Sequence, residues 1–329
     1  MKHINVALFV PHLGCPHTCI FCNQKTISGK CGELECREII SSAETAKKTP
    51  HSIHNSEIAF FGGSFTAIER EKMISYLETA SAYIGKDFGG IRISTRPDAI
   101  DEEILEILKK YSVTSIELGA QSMCDDVLAL NERGHSADDT RKAARLIKEH
   151  GFSLGLQMMT GLYGSSREKD LYTARQFVEL KPDTVRIYPT VVLEGTRLAE
   201  YYKNGMYTPE TLEECVEKCS ILLELFHENS IRVIRLGLHS GGNVEEGFIA
   251  GVFHPAFGEL CEAGIYRNIT FRQLGEKPEG NYTVSVNPRE ISKMTGQKKS
   301  NIEFFREKGY CLKIKGDETL TKYQIKITK

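Results

Sequence analysis

"VPHLGCPHTCIFCNQ", Val10 to Gln24, is the stretch on which the reading of this chain turns. It closes an apolar run, "INVALFVP" (Ile4–Pro11), and sets Cys15, Cys19 and Cys22 in C-x3-C-x2-C spacing. Thiolate sulfurs bind soft metals and iron–sulfur clusters. A four-iron cluster takes one Cys per iron, so three Cys leave one iron for a ligand that is not protein. A structural zinc site instead needs four ligands, usually with a second pair farther along the chain. Cys31 and Cys36, joined by His12 or His17, are the candidates for that pair, although the C-x4-C spacing of "CGELEC" suits zinc poorly.

Outward from this loop, strand and helix patterns alternate. "SEIAFFGG" (Ser56–Gly63), "GIRISTRP" (Gly90–Pro97), "SIELGAQS" (Ser115–Ser122), "SLGLQMMTG" (Ser153–Gly161), "DTVRIYPTVVL" (Asp183–Leu193) and "RVIRLGL" (Arg232–Leu238) read as strands. Helical patterns over 34–47, 69–84, 101–110, 136–151, 166–180 and 209–228 separate them. Short apolar strands alternating with helices mean βα units and a parallel sheet. No G-x-G-x-x-G follows the first strand, which argues against a dinucleotide-binding fold. The pattern predicts an α/β chain with a partial (β/α)6-type TIM barrel over residues 1–240. After Ser240 the pattern changes, and residues 241–329 read as a small C-terminal α/β module. There the alternation of Tyr323, Ile325 and Ile327 marks a half-buried strand.

In such barrels the chemistry sits at the C-terminal tips of the strands. The unusual residues fall at those tips. Gly62 and Gly63 lack Cβ and let the backbone approach a ligand closely, with Ser64 beside them. "STRPD" offers Ser94, Thr95 and Arg96. Glu117 and Gln121 sit inside an apolar strand, and buried polar groups are costly unless paired, so they point to a polar cavity. Gln157 alternates with apolar neighbours in the same way. Arg133 in "NERGH" follows the fourth of these tips. Arg186, Tyr188 and Glu194 stand near the tip of the sixth strand, while Cys215 and Cys219, at i and i+4, read as buried helix residues. His254 reads as a residue at a helix N-terminus.

The bulk numbers fit this reading. The composition is 40% hydrophobic and 26% charged, ordinary for a water-soluble domain. No run is long and apolar enough to span a membrane, and the start does not read as a signal peptide. The cytoplasm is the expected compartment, with ten cysteines held reduced. The net charge is −2, but Arg289–Lys329 holds eleven Lys/Arg against five Asp/Glu, or +6, leaving −8 for the preceding residues. A basic segment of that kind either meets phosphates or forms the solvated face of a small sheet.

The cysteine loop, with "FFGGSFT", "STRPDAI", "ELGAQSM", "NERGH", "GLQMMTGL", "VRIYPTVVLEGT" and "VIRLGLHS", resembles the radical S-adenosylmethionine (radical SAM) superfamily. Within it, the resemblance is to the Elongator protein 3 group. It implies a [4Fe–4S] cluster on Cys15, Cys19 and Cys22, the fourth iron being chelated by S-adenosylmethionine. One electron, from a donor such as flavodoxin or ferredoxin, then gives a 5′-deoxyadenosyl radical. By the same resemblance Phe21 packs on the adenine, Gly62, Gly63 and Ser64 face the amino group, Ser94 approaches the cofactor or substrate, Gln121 meets the ribose, and Arg133 pairs with the carboxylate. The group modifies the wobble uridine of tRNA, so tRNA held through the basic C-terminal module is an implied partner. The group also pairs its radical domain with an acetyltransferase domain. No stretch of this sequence reads as that domain, which leaves open whether the reaction uses acetyl-CoA, a separate partner or another substrate. Two alternatives remain at this point: an iron–sulfur electron carrier or sensor without radical catalysis, and a zinc-stabilised RNA-binding module.

Overall fold

The computed structural model describes residues 5–10, 15, 18–24, 26, 32–49, 53, 56–238, 244–275 and 277–329. The proposed zinc partners Cys31, His12 and His17 lie outside the described residues. In chain order the elements are β1 (Asn5–Val10), α1 (Cys36–Ala46), β2 (Glu57–Gly62), α2 (Arg70–Ser81), β3 (Gly90–Thr95), α3 (Glu102–Lys110), β4 (Val113–Gln121), α4 (Asp125–Leu130) and α5 (Ala137–Glu149). There follow β5 (Ser153–Thr160), α6 (Arg167–Leu180), β6 (Thr184–Pro189), β7 (Val191–Leu193), α7 (Arg197–Lys203), α8 (Leu212–Glu228), β8 (Arg232–Leu236), α9 (Val244–Gly247) and β9 (Phe248–Gly251). The chain ends with α10 (Phe257–Leu274), β10 (Gly280–Val286), α11 (Ile291–Thr295), α12 (Ser300–Glu307), β11 (Tyr310–Gly316) and β12 (Ile325–Thr328).

Seven strands form one sheet in the order β1-β2-β3-β4-β5-β6-β8, every neighbouring pair parallel. This is the partial TIM barrel that the alternating pattern predicts, and all seven strand tips lie at one end of the sheet. Helix starts follow the local chemistry. Ser136 caps α5 in a reciprocal box with Asp139, Asp101 caps α3, and Thr211 caps α8 in a box with Glu214. Each satisfies amide groups that the first turn leaves without partners. β3 is buried along its whole length, as a central strand covered on both faces should be.

Three local readings are corrected. "DTVRIYPTVVL" is two strands, because β6 ends at Pro189, which has no N–H to extend the ladder, and β7 pairs antiparallel with β9. α7, capped by the Thr196 hydroxyl on Ala199 N–H, was not read from the pattern. His254 precedes α10 rather than belonging to it, and its Nδ1 accepts from Ala256 N–H at 3.1 Å.

The chain divides into two compact units, Met1–Pro209 with Ile231–Val252, and Glu210–Ser230 with Phe253–Lys329. α8 thus packs with the later segment, whereas sequence patterning alone set a single boundary at 240. In the second unit β11, β10 and β12 form a small sheet, and Val284, Val286, Tyr266, Phe305 and Met294 are buried in its core. Only Ile325–Thr328 of "LTKYQIKIT" is strand. Tyr323 has φ 63° and its ring turns inward against Tyr266 and His227. Among the described residues no helix is long and apolar enough to cross a membrane.

Candidate cofactor site

The described loop residues after β1 are tied to the tips of distant strands. Ile20 N–H donates to Asn131 O at 3.3 Å, Leu198 N–H to Ile20 O at 2.8 Å, and Asn23 Nδ2 to Glu194 O at 2.8 Å. Cys19, Ile20 and Phe21 pack with Val127, Leu162, Val192 and Leu198, so apolar burial fixes the loop as much as hydrogen bonding does. Cys22 N–H closes a turn on Cys19 O at 3.0 Å.

This anchoring places all three thiols on one cavity of about 270 Å³. Its walls include Phe21, Gly62, Gly63, Ser64, Ser94, Gln121, Arg133 and Gln157, whereas Glu117, Arg186, Tyr188 and Glu194 are not among its lining residues. Thr18, Gln24, Thr95, Arg96 and Gly119 complete the lining. Of these, Thr18 and Gly119 were not read as site residues, nor was Gln24. Its Nε2 donates to Gly62 O at 3.2 Å and approaches Cys15 Sγ at 3.9 Å. Only its place two residues past the last Cys could have marked it.

The glycine pair has a geometric reason. Gly63 N–H donates to Val10 O at 2.7 Å, bridging the tips of β1 and β2. Gly62 has φ 104°, and a Cβ there would meet Val10 O at 3.1 Å. Ser64 lines the cavity and also ties two strand tips. Its hydroxyl accepts from Arg96 N–H at 3.1 Å and shares a 2.8 Å hydrogen bond with Thr95 Oγ1, which in turn meets Thr66 Oγ1 at 2.6 Å. These hydroxyls lace the tips of β2 and β3 together.

The opposite wall is polar and under-satisfied. Gln121 has φ 65° at a register break in β4, a left-handed conformation rare for a residue with a side chain. Its Oε1 is buried with no partner, as are Ser94 Oγ and Arg133 Nε. Buried polar atoms are nearly always paired, so these three mark where a polar ligand belongs. Arg133 Nη1 meets Cys19 Sγ at 3.0 Å, Nη2 donates to Gly119 O at 2.6 Å, and the guanidinium lies 6.0 Å from the Phe21 ring centre. Arg96 is held by a two-pronged contact with Asp98, at 2.9 and 2.8 Å. His135 Nε2 lies 3.3 Å from Ala120 O, and burial together with the Arg133 charge pushes its pKa down to about 4.

Below the cavity, Glu117 is the centre of an ion network. It accepts from Arg92 Nη1 at 2.9 Å, Arg186 Nε and Nη2 at 2.8 and 2.9 Å, and Gln157 Nε2 at 3.0 Å. Arg92 also reaches Glu57 at 2.7 Å. Arg186, read as a substrate contact, and Glu117, read as cavity lining, are therefore spent on each other. Cys215 and Cys219 are buried in the second unit, as expected for helix core residues, and Cys261 is buried there too.

Burial, then the neighbouring Cys19 and Cys15 thiols, push the Cys22 pKa up to about 12. A thiolate at that depth needs a cation beside it. Among the described residues no three His, Cys, Asp or Glu side chains come close enough to hold a single metal ion. A four-iron cluster seats each thiolate on a different iron. The three cavity thiols, the glycine cradle and the partnerless polar atoms fit a thiolate-held cluster with a polar organic ligand.

Comparison with known proteins follows the same line. The radical SAM superfamily matches over residues 9–177, and the radical SAM C-terminal domain over residues 182–267. The tRNA uridine(34) acetyltransferase of Methanocaldococcus jannaschii is 32% identical over 195 residues, covering 53% of this chain and 36% of that protein. That of Dehalococcoides mccartyi is 28% identical over 239 residues, covering 62% and 52%. Elongator complex protein 3 of Mus musculus is 29% identical over 259 residues, covering 70% and 47%. The chain thus spans roughly a third to a half of the length of these relatives. Among solved structures, the archaeal Elp3 of Methanocaldococcus infernus lacking residues 1–46 aligns with TM-score 0.65 at 24% identity, over 83% of this chain and 63% of that one. That likeness is one of fold.

Proposed function

The chain belongs to the radical SAM superfamily, and we propose that its strand-tip cavity holds a [4Fe–4S] cluster on Cys15, Cys19 and Cys22 with S-adenosylmethionine on the fourth iron. When bound, that pair supplies reductive cleavage of the sulfonium to methionine and a 5′-deoxyadenosyl radical, with the electron brought by a carrier such as flavodoxin or ferredoxin. The protein's part is to position and to exclude water. Gly63 and Gly62, the latter at a φ that glycine adopts freely, hold the β2 tip back so that backbone can approach the cofactor's amino group. Ser64, on the cavity wall, keeps that tip in register with β3 through its hydroxyl. Gln121 Oε1 and Ser94 Oγ offer hydrogen bonds to the nucleoside, Phe21 offers a ring face to the adenine, and Arg133 Nε is the donor left for the carboxylate.

The observation that carries this reading is the convergence of three thiols and three partnerless buried polar atoms on one cavity. An electron carrier needs the thiols alone and leaves Gln121 and Ser94 without a purpose.

For the substrate, we propose the wobble uridine of tRNA in the cytoplasm, with the basic C-terminal segment meeting the RNA. The names of the relatives and the +6 charge of Arg289–Lys329 support it. Two measurements test the proposal. Iron and sulfide content after anaerobic reconstitution should be lost in Cys15→Ala, Cys19→Ala and Cys22→Ala. Nucleosides of tRNA from cells lacking the chain should show a changed wobble uridine by mass spectrometry. An unchanged nucleoside set rejects the tRNA substrate and leaves the cofactor reading standing.

A further inference from the structure

The small sheet of the second unit has one face in the core and one in solvent, and the register of its strands sets what the open face carries. Tyr282, Val284 and Val286 of β10 point to the core, so Asn281, Thr283 and Ser285 point away. On one side Thr283 pairs with Lys313 and Ser285 with Lys315 of β11. On the other, Thr283 pairs with Thr328 and Ser285 with Lys326 of β12. The open face is therefore two rows, Lys313-Thr283-Thr328 and Lys315-Ser285-Lys326. All three lysines are exposed, and none forms an ion pair among the described residues. No carboxylate stands in either row. Asp317, one residue past β11, senses Lys326, but its carboxylate is held by the Thr319 N–H and hydroxyl.

Charges on edge strands also guard against edge-to-edge pairing, and β11 and β12 are both edges. That role is served by either sign and by mixtures. It does not require three cations and three hydroxyls with no acid. Lysines two apart on a strand are about 6.6 Å apart, and those across the middle strand about 9.6 Å. The hydroxyls between them are phosphate-contacting groups.

We propose that this open face of β11, β10 and β12 is where the chain holds the phosphodiester backbone of an RNA. The inference rests on the tRNA reading above and assigns it a specific surface. Such contacts carry no sequence information; they fix orientation and supply salt-dependent affinity.

The test uses the full chain and bulk unmodified tRNA, with binding measured across a salt series. The sheet variant is Lys313→Glu/Lys315→Glu/Lys326→Glu. A control with the same change in net charge is Lys86→Glu/Lys142→Glu/Lys203→Glu, all exposed residues of the first unit. Each lost phosphate contact lowers the slope of log K against log salt by about 0.7–0.9. The sheet variant should therefore lose about 2–3 units of slope, the control should not, and both should retain wild-type cofactor cleavage. Equal loss in both variants, or in neither, overturns the assignment of this face while leaving the tRNA reading intact. A wild-type chain that cleaves its cofactor but binds no tRNA overturns both.

Discussion

Arg133 joins Cys19 to the β4 tip: Nη1 lies 3.0 Å from the Cys19 sulfur while Nη2 donates to Gly119 O at 2.6 Å. One side chain thus spans the cysteine loop and the wall expected to meet the organic cofactor. Donors to a cluster thiolate raise its reduction potential. Arg133→Gln should keep its iron and sulfide, weaken S-adenosylmethionine binding by about 10–100-fold, and lower the potential found by electron paramagnetic resonance titration. Unchanged affinity and potential would remove Arg133 from the site.

Glu117 is 1% exposed and answers two arginines. Taking away one partner of a buried ion pair costs about 3–5 kcal/mol, because the other charge stays buried. Glu117→Gln should lower stability by that order in urea unfolding. A loss below about 1 kcal/mol would mean that Arg92 and Arg186 find other partners.

His135 ties stability to pH. Its folded pKa, about 4, lies below the ordinary 6.5, so the folded chain keeps the imidazole neutral where the unfolded chain takes up a proton. The contribution is complete above 6.5 and is lost as pH falls from there toward 4. Between about pH 7.5 and about pH 5 the loss from this one group is about 2 kcal/mol. His135→Gln should show a correspondingly shallower loss of stability over that range. Identical pH profiles would show that His135 is not held neutral.

Gly62 combines φ 104° with a Cβ position 3.1 Å from Val10 O. Gly62→Ala should cost about 1–3 kcal/mol and weaken cofactor binding, because the β2 tip must move. Gly258→Ala, where an added Cβ meets nothing within 4 Å and which lies in α10, serves as control and should be neutral or stabilising. Equal effects of the two substitutions would show that the β2 tip has no special need for glycine.

The barrel was legible because its strands are short apolar runs between well-capped helices, as around Ser136 and Asp101. The cysteine loop, the glycine pair and Arg133 were legible because their residue types are unusual at strand tips. What was not legible depends on contacts between distant segments. The tie from the Ser64 hydroxyl to Thr95 and the Arg96 amide, 31 and 32 positions away, is not visible in "FFGGSFT" itself. Arg186 looks like a substrate residue until Glu117, 69 positions away, is found against it. The assignment of α8 to the second unit depends on its packing with α10, which its own periodicity does not carry.

The most direct test is anaerobic. The protein is reconstituted with iron and sulfide, given S-adenosylmethionine and dithionite, and assayed for 5′-deoxyadenosine, with and without tRNA, beside Cys19→Ala. The account predicts 5′-deoxyadenosine from the wild type and none from the variant. A cluster-loaded wild type that forms none, even with tRNA present, would contradict it.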